Sequence, residues 1–196
     1  QKQIHQSNPP PRVQPERDIL KLTVLCVDVM PQFKSVVENM FKAVPRTALQ
    51  FRSETKALYR MAEKGFLKGP ASKSNGGDGT LPEGALDCSK ICDVVGCLVI
   101  CDDFRSMREV VERLKAQAEP DVMVCEVKSG WADSSEGGWR DLICIVSVGP
   151  ERIMCEIQVV HAKLLVARQG LDAHKAYAKY RSYFEMLNFS GLIQNN

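Results

Sequence analysis

The stretch from Glu156 to Lys163, EIQVVHAK, sets a carboxylate and an amide two residues apart in an otherwise apolar run. A β-strand turns successive side chains to opposite faces, so Glu156 and Gln158 share one face and Ile157 and Val159 the other. One face of that strand is therefore equipped for polar chemistry. A second carboxylate, Asp93, interrupts the apolar run ICDVVGCLVI, and a buried carboxylate is costly unless it is paired or holds a metal. Two carboxylates on facing strands, with substrate phosphates completing the shell, are the usual way to hold magnesium. The alternative is that Asp93 opens its strand at a solvent edge and that Glu156 and Gln158 decorate a solvated face, and periodicity alone leaves the two readings level.

A third feature, EGGWRDLICIVSV from Glu136 to Val148, puts Gly137, Gly138 and Trp139 ahead of an apolar strand. Glycines let a loop bend close to a ligand, and an indole offers a broad face to a purine base. A tryptophan at the start of a strand also commonly covers the edge of a core.

These residues need elements to hold them. ILKLTVLCVDVM (19–30) is rich in β-formers but its leucines also permit a helix, so its state is open. From Pro31, apolar residues at Phe33, Val36, Val37, Met40 and Phe41 predict a helix with the proline in its first turn, ended by Pro45. RTALQFR predicts a short strand and SETKALYRMAEKG a helix capped by Ser53 and closed by Gly65. ICDVVGCLVICDD predicts a buried strand, FRSMREVVERLKAQAE a helix, and DVMVCEV, WRDLICIVSV and RIMCEIQV three more strands, the last two joined by a tight GPER turn. Residues from Val160 to about Phe184 read as a long helix with a basic flank. The sum is an α+β fold, a mixed sheet of about five strands flanked by helices.

At 196 residues and 44% hydrophobic, the chain suits one well-packed domain, or one domain with an appendage. Residues 1–17 are polar and proline-rich and read as a disordered linker, 18–190 as a single domain with a flexible, glycine- and serine-rich loop at 67–86. Because the chain begins with Gln1, it is expected to be a piece of a longer protein with further domains. A net charge of +2 gives no indication of a nucleic-acid partner. No apolar run is long enough to span a bilayer. The eight cysteines fall mostly inside apolar runs, where a free thiol behaves as a small buried hydrophobe, and Cys88, Cys92, Cys97 and Cys101 lack the C-x2-C pairing of zinc ribbons. So many unpaired thiols point to a reducing compartment, the cytoplasm or an organelle stroma.

The order of these pieces resembles the synthetase domain of RelA/SpoT-type alarmone synthetases: Asp93 at the head of a buried strand, the glycine-plus-aromatic loop with Trp139, the Glu-x-Gln strand, and a following helix with a late histidine. The resemblance covers about residues 47–180 and rests on order and spacing together. It implies a nucleotidyltransferase-like fold and transfer of pyrophosphate from ATP to the 3′-hydroxyl of a guanosine or other nucleotide. It further implies that Asp93 and Glu156 hold Mg2+, with Glu156 assisting deprotonation of the acceptor hydroxyl. Trp139 stands at the position of a base-stacking tyrosine, and Lys128 matches a lysine of the same loop. Lys56 and Lys64 match two lysines around the ATP phosphates, with Tyr59 between them. Gln158, His161 and His174 fall in the Glu-x-Gln strand and the helix after it.

The ATP half departs from the family pattern. Glu54 replaces an arginine two residues before the first lysine, Arg60 replaces a serine, Leu98 an arginine and Ser135 a lysine. Arginines make bidentate phosphate contacts that a lysine does not replace. Either Arg52, Arg60, Lys68 and Arg140 take over, or the domain is catalytically degenerate and serves as a nucleotide-binding or protein-interaction module. Alarmone hydrolysis is not expected, since neither His5, His161 nor His174 is followed by Asp.

Overall fold

The computed structural model describes residues 13–56, 58, 60–62, 88–116, 122–131, 139–170, 179 and 183. The expectations for Tyr59, Lys64, Lys68, Gly137, Gly138, His174, the 67–86 loop and the first twelve residues lie outside them.

The chain from Asp18 onward forms one helix, α1, from Ile19 to Phe41. An Asp18 Oδ1 caps its start, accepting the backbone N–H groups of Leu20 and Lys21 at 2.9 Å. This settles the open segment as helix and corrects the placement of Pro31, which lies inside the helix rather than in its first turn. The physical reason is tertiary. Leu22, Cys26, Val29, Phe33, Val36 and Met40 recur every three or four residues and are all buried, and burying each such side chain contributes about 1.5–3 kcal/mol. That outweighs the lost N–H of one proline and the β-preference of the Thr and Val residues.

Five strands make a mixed sheet: β1 Thr47–Phe51, β2 Gly96–Cys101, β3 Val122–Ser129, β4 Leu142–Val148 and β5 Ile153–His161. Their order across the sheet is β1-β2-β5-β4-β3. Only β2 and β5 run parallel; the other pairs are antiparallel. Helix α2, Phe104–Ala116, follows β2, and α3, Ala162–Gly170, follows β5. Asp103 opens α2, its Oδ1 accepting from the Ser106 N–H at 2.8 Å and hydroxyl at 3.0 Å. Gly149 (φ 75°) and Arg152 (φ 54°) shape the turn between β4 and β5, closed by the Arg152 N–H donating to the Gly149 carbonyl. The architecture is the α+β fold expected from the sequence.

Alternation divides the sheet into two faces. Cys97, Val99, Cys144, Val146, Ile157 and Val159 are buried in the main core with α1 and α2. The other face carries the polar residues of β5.

The long helix expected from Val160 begins instead at Ala162, because β5 keeps its pairing with β2 through His161. The linker expected through residue 17 also needs correction. Gln14 is 2% exposed, and its backbone N–H donates to the Ser89 carbonyl. Residues 13–17 are therefore part of the domain. Among the described residues no helix is long and apolar enough to cross a membrane. All eight cysteines are free thiols; seven are buried and Cys125 is half-buried.

Candidate active site

Register across the sheet lays two rows of side chains over the open face. The first runs Gln50, Leu98, Gln158, Ile143, Lys128, and the second runs Gly96, Glu156, Ile145, Glu126. Glu156 and Gln158 thus share a face, as their spacing requires. They line a groove of about 520 Å³ with Gln50, Arg52, Gly96, Leu98 and, from α3, Leu165, Arg168 and Gln169.

Gly96 is what lets β2 and β5 close on this groove. A Cβ there would lie 3.2 Å from the Glu156 carbonyl oxygen and 3.9 Å from Arg52 Nη2. Asp93 sits three residues before β2 rather than within it, which corrects the expectation that the strand itself carries this carboxylate. The Lys56 ammonium pairs with the Asp93 carboxylate, and Arg52 Nη1 donates to the Asp93 carbonyl at 3.0 Å. Both side chains of the Lys56–Asp93 pair are largely enclosed, at 14% and 20% exposure. The chain from Arg52 to Lys56 is stitched to that from Asp93 to Gly96: the Arg52 N–H donates to Gly96 and the Lys56 N–H to Val94. The Glu156 N–H in turn donates to the Val95 carbonyl at 3.0 Å.

Beside the groove, next to its lining residues Gln158 and Arg168, Trp139 Nε1 donates to Asp141 Oδ2 at 2.7 Å, and the Gln158 side-chain amide donates to the same oxygen. The Arg168 guanidinium lies 4.3 Å over the Trp139 ring, within cation–π range. Trp139 and Gln158 therefore meet at Asp141, with Arg168 over the indole.

Four other residues named from the sequence make different contacts or lie outside the groove lining. His161 has the parity of the core face, and its ring packs on Phe104 of α2 at 5.1 Å. Lys128 stands on the edge strand β3, separated from Gln158 by Ile143, and pairs with Glu126 at 3.6 Å. Arg60 is half-buried in a helical stretch and is not among the groove residues. Arg140, offered by sequence as a substitute phosphate ligand, donates to the Trp131 carbonyl.

The family model described as the region found in RelA / SpoT proteins matches residues 53–182. The chain belongs to the RelA/SpoT family. Solved structures agree in fold. Small alarmone synthetase 1 from Bacillus subtilis, bound to its product pppGpp, is 16% identical with a TM-score of 0.58, over 88% of this chain and 96% of that one. Small alarmone synthetase 2 from Bacillus subtilis is 18% identical with a TM-score of 0.52, over 84% and 80%. A GTP pyrophosphokinase family protein from Streptococcus pneumoniae is 15% identical with a TM-score of 0.54, over 82% and 75%. Comparison with curated protein sequences gives no match.

Sequence reasoning missed two residues of this RelA/SpoT domain that organise the groove. Asp141 is a buried carboxylate at the head of an apolar strand, the same signal that singled out Asp93. Gln14 came from a segment that composition marked as linker, so no local signal pointed to it. Its side-chain amide bridges the Ile91 carbonyl and the Met154 backbone.

Proposed function

We propose that this domain is a nucleotide pyrophosphotransferase, moving the β,γ-pyrophosphate of ATP to the 3′-hydroxyl of a guanosine nucleotide. What supports the reading is the Gly96–Glu156 register. It sets Glu156 one strand spacing, about 4.8 Å, from the chain leading out of Asp93, with Arg52 and Lys56 gathered on that same segment. The Glu156 carboxylate, the Arg52 and Arg168 guanidinium groups and the Gln158 amide border one groove, with the Lys56–Asp93 pair beside Arg52.

In the reaction, Glu156 accepts the proton of the acceptor 3′-hydroxyl. The freed oxygen attacks the β-phosphorus of ATP, the bond from that phosphorus to the α-phosphate oxygen breaks, and AMP leaves. Such a transfer asks the protein mainly for positioning and for neutralisation of phosphate charge. Arg52 and Lys56 supply two positive charges for it. Gln158 and Trp139 hold the acceptor, the indole face covering its base.

The reading includes magnesium, whose oxygen-ligand chemistry suits carboxylates. Asp93 and Glu156 are the hard carboxylates that would hold the ion, with phosphate and water in the remaining positions, as magnesium prefers. When bound, the ion supplies charge stabilisation at the transferring phosphates.

A second reading, a nucleotide- or protein-binding domain without catalysis, is favoured by Leu98, which lines the groove where the resemblance places an arginine. Incubation with ATP, magnesium and each nucleoside di- or triphosphate, followed by product separation, decides between them. The transferase reading expects AMP together with a 3′-pyrophosphorylated guanosine nucleotide, both lost in Glu156→Gln. Nucleotide binding without AMP release would establish the second reading.

A further inference from the structure

We propose that Asp141 is a positioning residue that locks Trp139 and Gln158 into one unit at the acceptor end of the groove, an inference that rests on the transferase reading above. Asp141 is 6% exposed, and a carboxylate so enclosed is stable only with donors. Its Oδ2 receives two, the Trp139 indole N–H at 2.7 Å and the Gln158 amide. Hydrogen bonds to an ionised oxygen are stronger than neutral ones, so the carboxylate holds both side chains firmly.

The carboxylate is itself held. The Gly130 N–H donates to the Asp141 carbonyl at 2.8 Å. A Cβ on Gly130 would lie 3.1 Å from Asp141 Oδ1, a tight contact, so the chain after β3 closes against the carboxylate. Asp141 cannot swing toward that side, and the plane of the indole is fixed from its edge.

Arg168 adds the second constraint. Its guanidinium lies 4.3 Å over the ring, and a carboxylate at the indole N–H pushes electron density onto the ring face that attracts it. Edge and face of Trp139 are thereby set before any base arrives, while Gln158, on the same oxygen, is set beside it. Such preorganisation lowers the ordering cost of binding.

The test reads the indole protons of the whole chain by nitrogen-edited NMR, with Trp139→Phe used to tell Trp139 from Trp131. In the wild type, the Trp139 indole proton should lie downfield of Trp131 and exchange slowly with water. In Asp141→Ala it should move upfield and exchange at least about tenfold faster. Asp141→Asn keeps an amide oxygen able to accept both donors and should retain the downfield signal. Guanosine triphosphate affinity should fall about tenfold in Asp141→Ala, and by much less when that substitution is made on Trp139→Phe, whose ring has no N–H to hold.

A fast-exchanging Trp139 indole in the wild type would overturn the proposal, whatever the variants do. So would an unmoved signal in folded Asp141→Ala, or full additivity of the two substitutions. Absence of guanosine nucleotide binding in the wild type would instead overturn the transferase reading and leave the spectral result to judge Asp141.

Discussion

Gln14 holds Met154 by both of its backbone groups: Oε1 accepts the Met154 N–H at 2.9 Å, and Nε2 donates to the Met154 carbonyl at 2.9 Å. The same Nε2 donates to the Ile91 carbonyl at 2.9 Å. Ile91 lies two residues before Asp93, and Met154 two before Glu156. One buried amide thus ties together the two segments that lead to the carboxylates. Gln14→Ala leaves three buried backbone groups without their partner, and urea unfolding should show a loss of about 2–4 kcal/mol. Gln14→Glu should be no better, because a carboxylate cannot donate to the two carbonyls. A stability within experimental error of wild type in both variants would show that the bridge contributes nothing.

The Lys56–Asp93 pair gives a prediction with an internal control. With the two side chains only 14% and 20% exposed, Lys56→Met removes the ammonium beside a largely enclosed carboxylate and should cost about 1–3 kcal/mol. The double variant Lys56→Met with Asp93→Asn should recover part of that loss, since the carboxylate charge that Lys56 balances is also gone. A denaturation cycle on the three variants and wild type measures the coupling, and simple additivity would mean that the pair is not formed in solution.

How far the sequence could be read follows from which forces act locally. Strand alternation survives folding, so the shared face of Glu156 and Gln158 was legible from spacing alone. The resemblance groups His161 with the nucleotide residues, yet β5 runs two residues further than the strand read from the sequence, and odd parity sends the ring toward Phe104. The first half of α1 was ambiguous because Thr and Val favour strands; burial of Leu22, Cys26 and Val29 against the sheet decides it, and that is a tertiary fact. Gln14 was invisible for the same reason, its partners being 77 and 140 residues away. Asp141 could have been found, since it stands at the head of an apolar strand just as Asp93 precedes one.

A side chain at Gly96 should strain the contact between β2 and β5. A Cβ would meet the Glu156 carbonyl oxygen at 3.2 Å, and that atom is backbone within a paired strand. Gly96→Ala therefore has to part β2 from β5, at about 1–3 kcal/mol for an overpacked site. Because the new methyl also approaches Arg52 Nη2, nucleotide affinity should fall together with the denaturation midpoint. Titration and urea unfolding of Gly96→Ala test this, and wild-type values in both would show that the two strands part freely.

The buried thiols should make the domain sensitive to alkali. Burial pushes Cys26, Cys97, Cys101 and Cys144 up to about 12 from an ordinary value of 9.0, since the thiolate is poorly solvated there. Cys97 and Cys101 feel opposing or added effects from neighbours, so Cys26 and Cys144, shifted by desolvation alone, are the clearer pair. With the folded value raised, the unfolded chain releases the proton first as pH rises past 9, and it then binds fewer protons than the folded chain. Stability is therefore full below about pH 9 and falls between about 9 and about 12, each thiol steepening the decline by up to about 1.4 kcal/mol per pH unit. Urea unfolding at pH 7.5, 9 and 10.5 should show little change over the first interval and a marked loss over the second. Cys144→Ala should have a lower stability at pH 7.5 but a shallower decline above pH 9, and equal slopes for variant and wild type would show that Cys144 does not ionise on unfolding in that window.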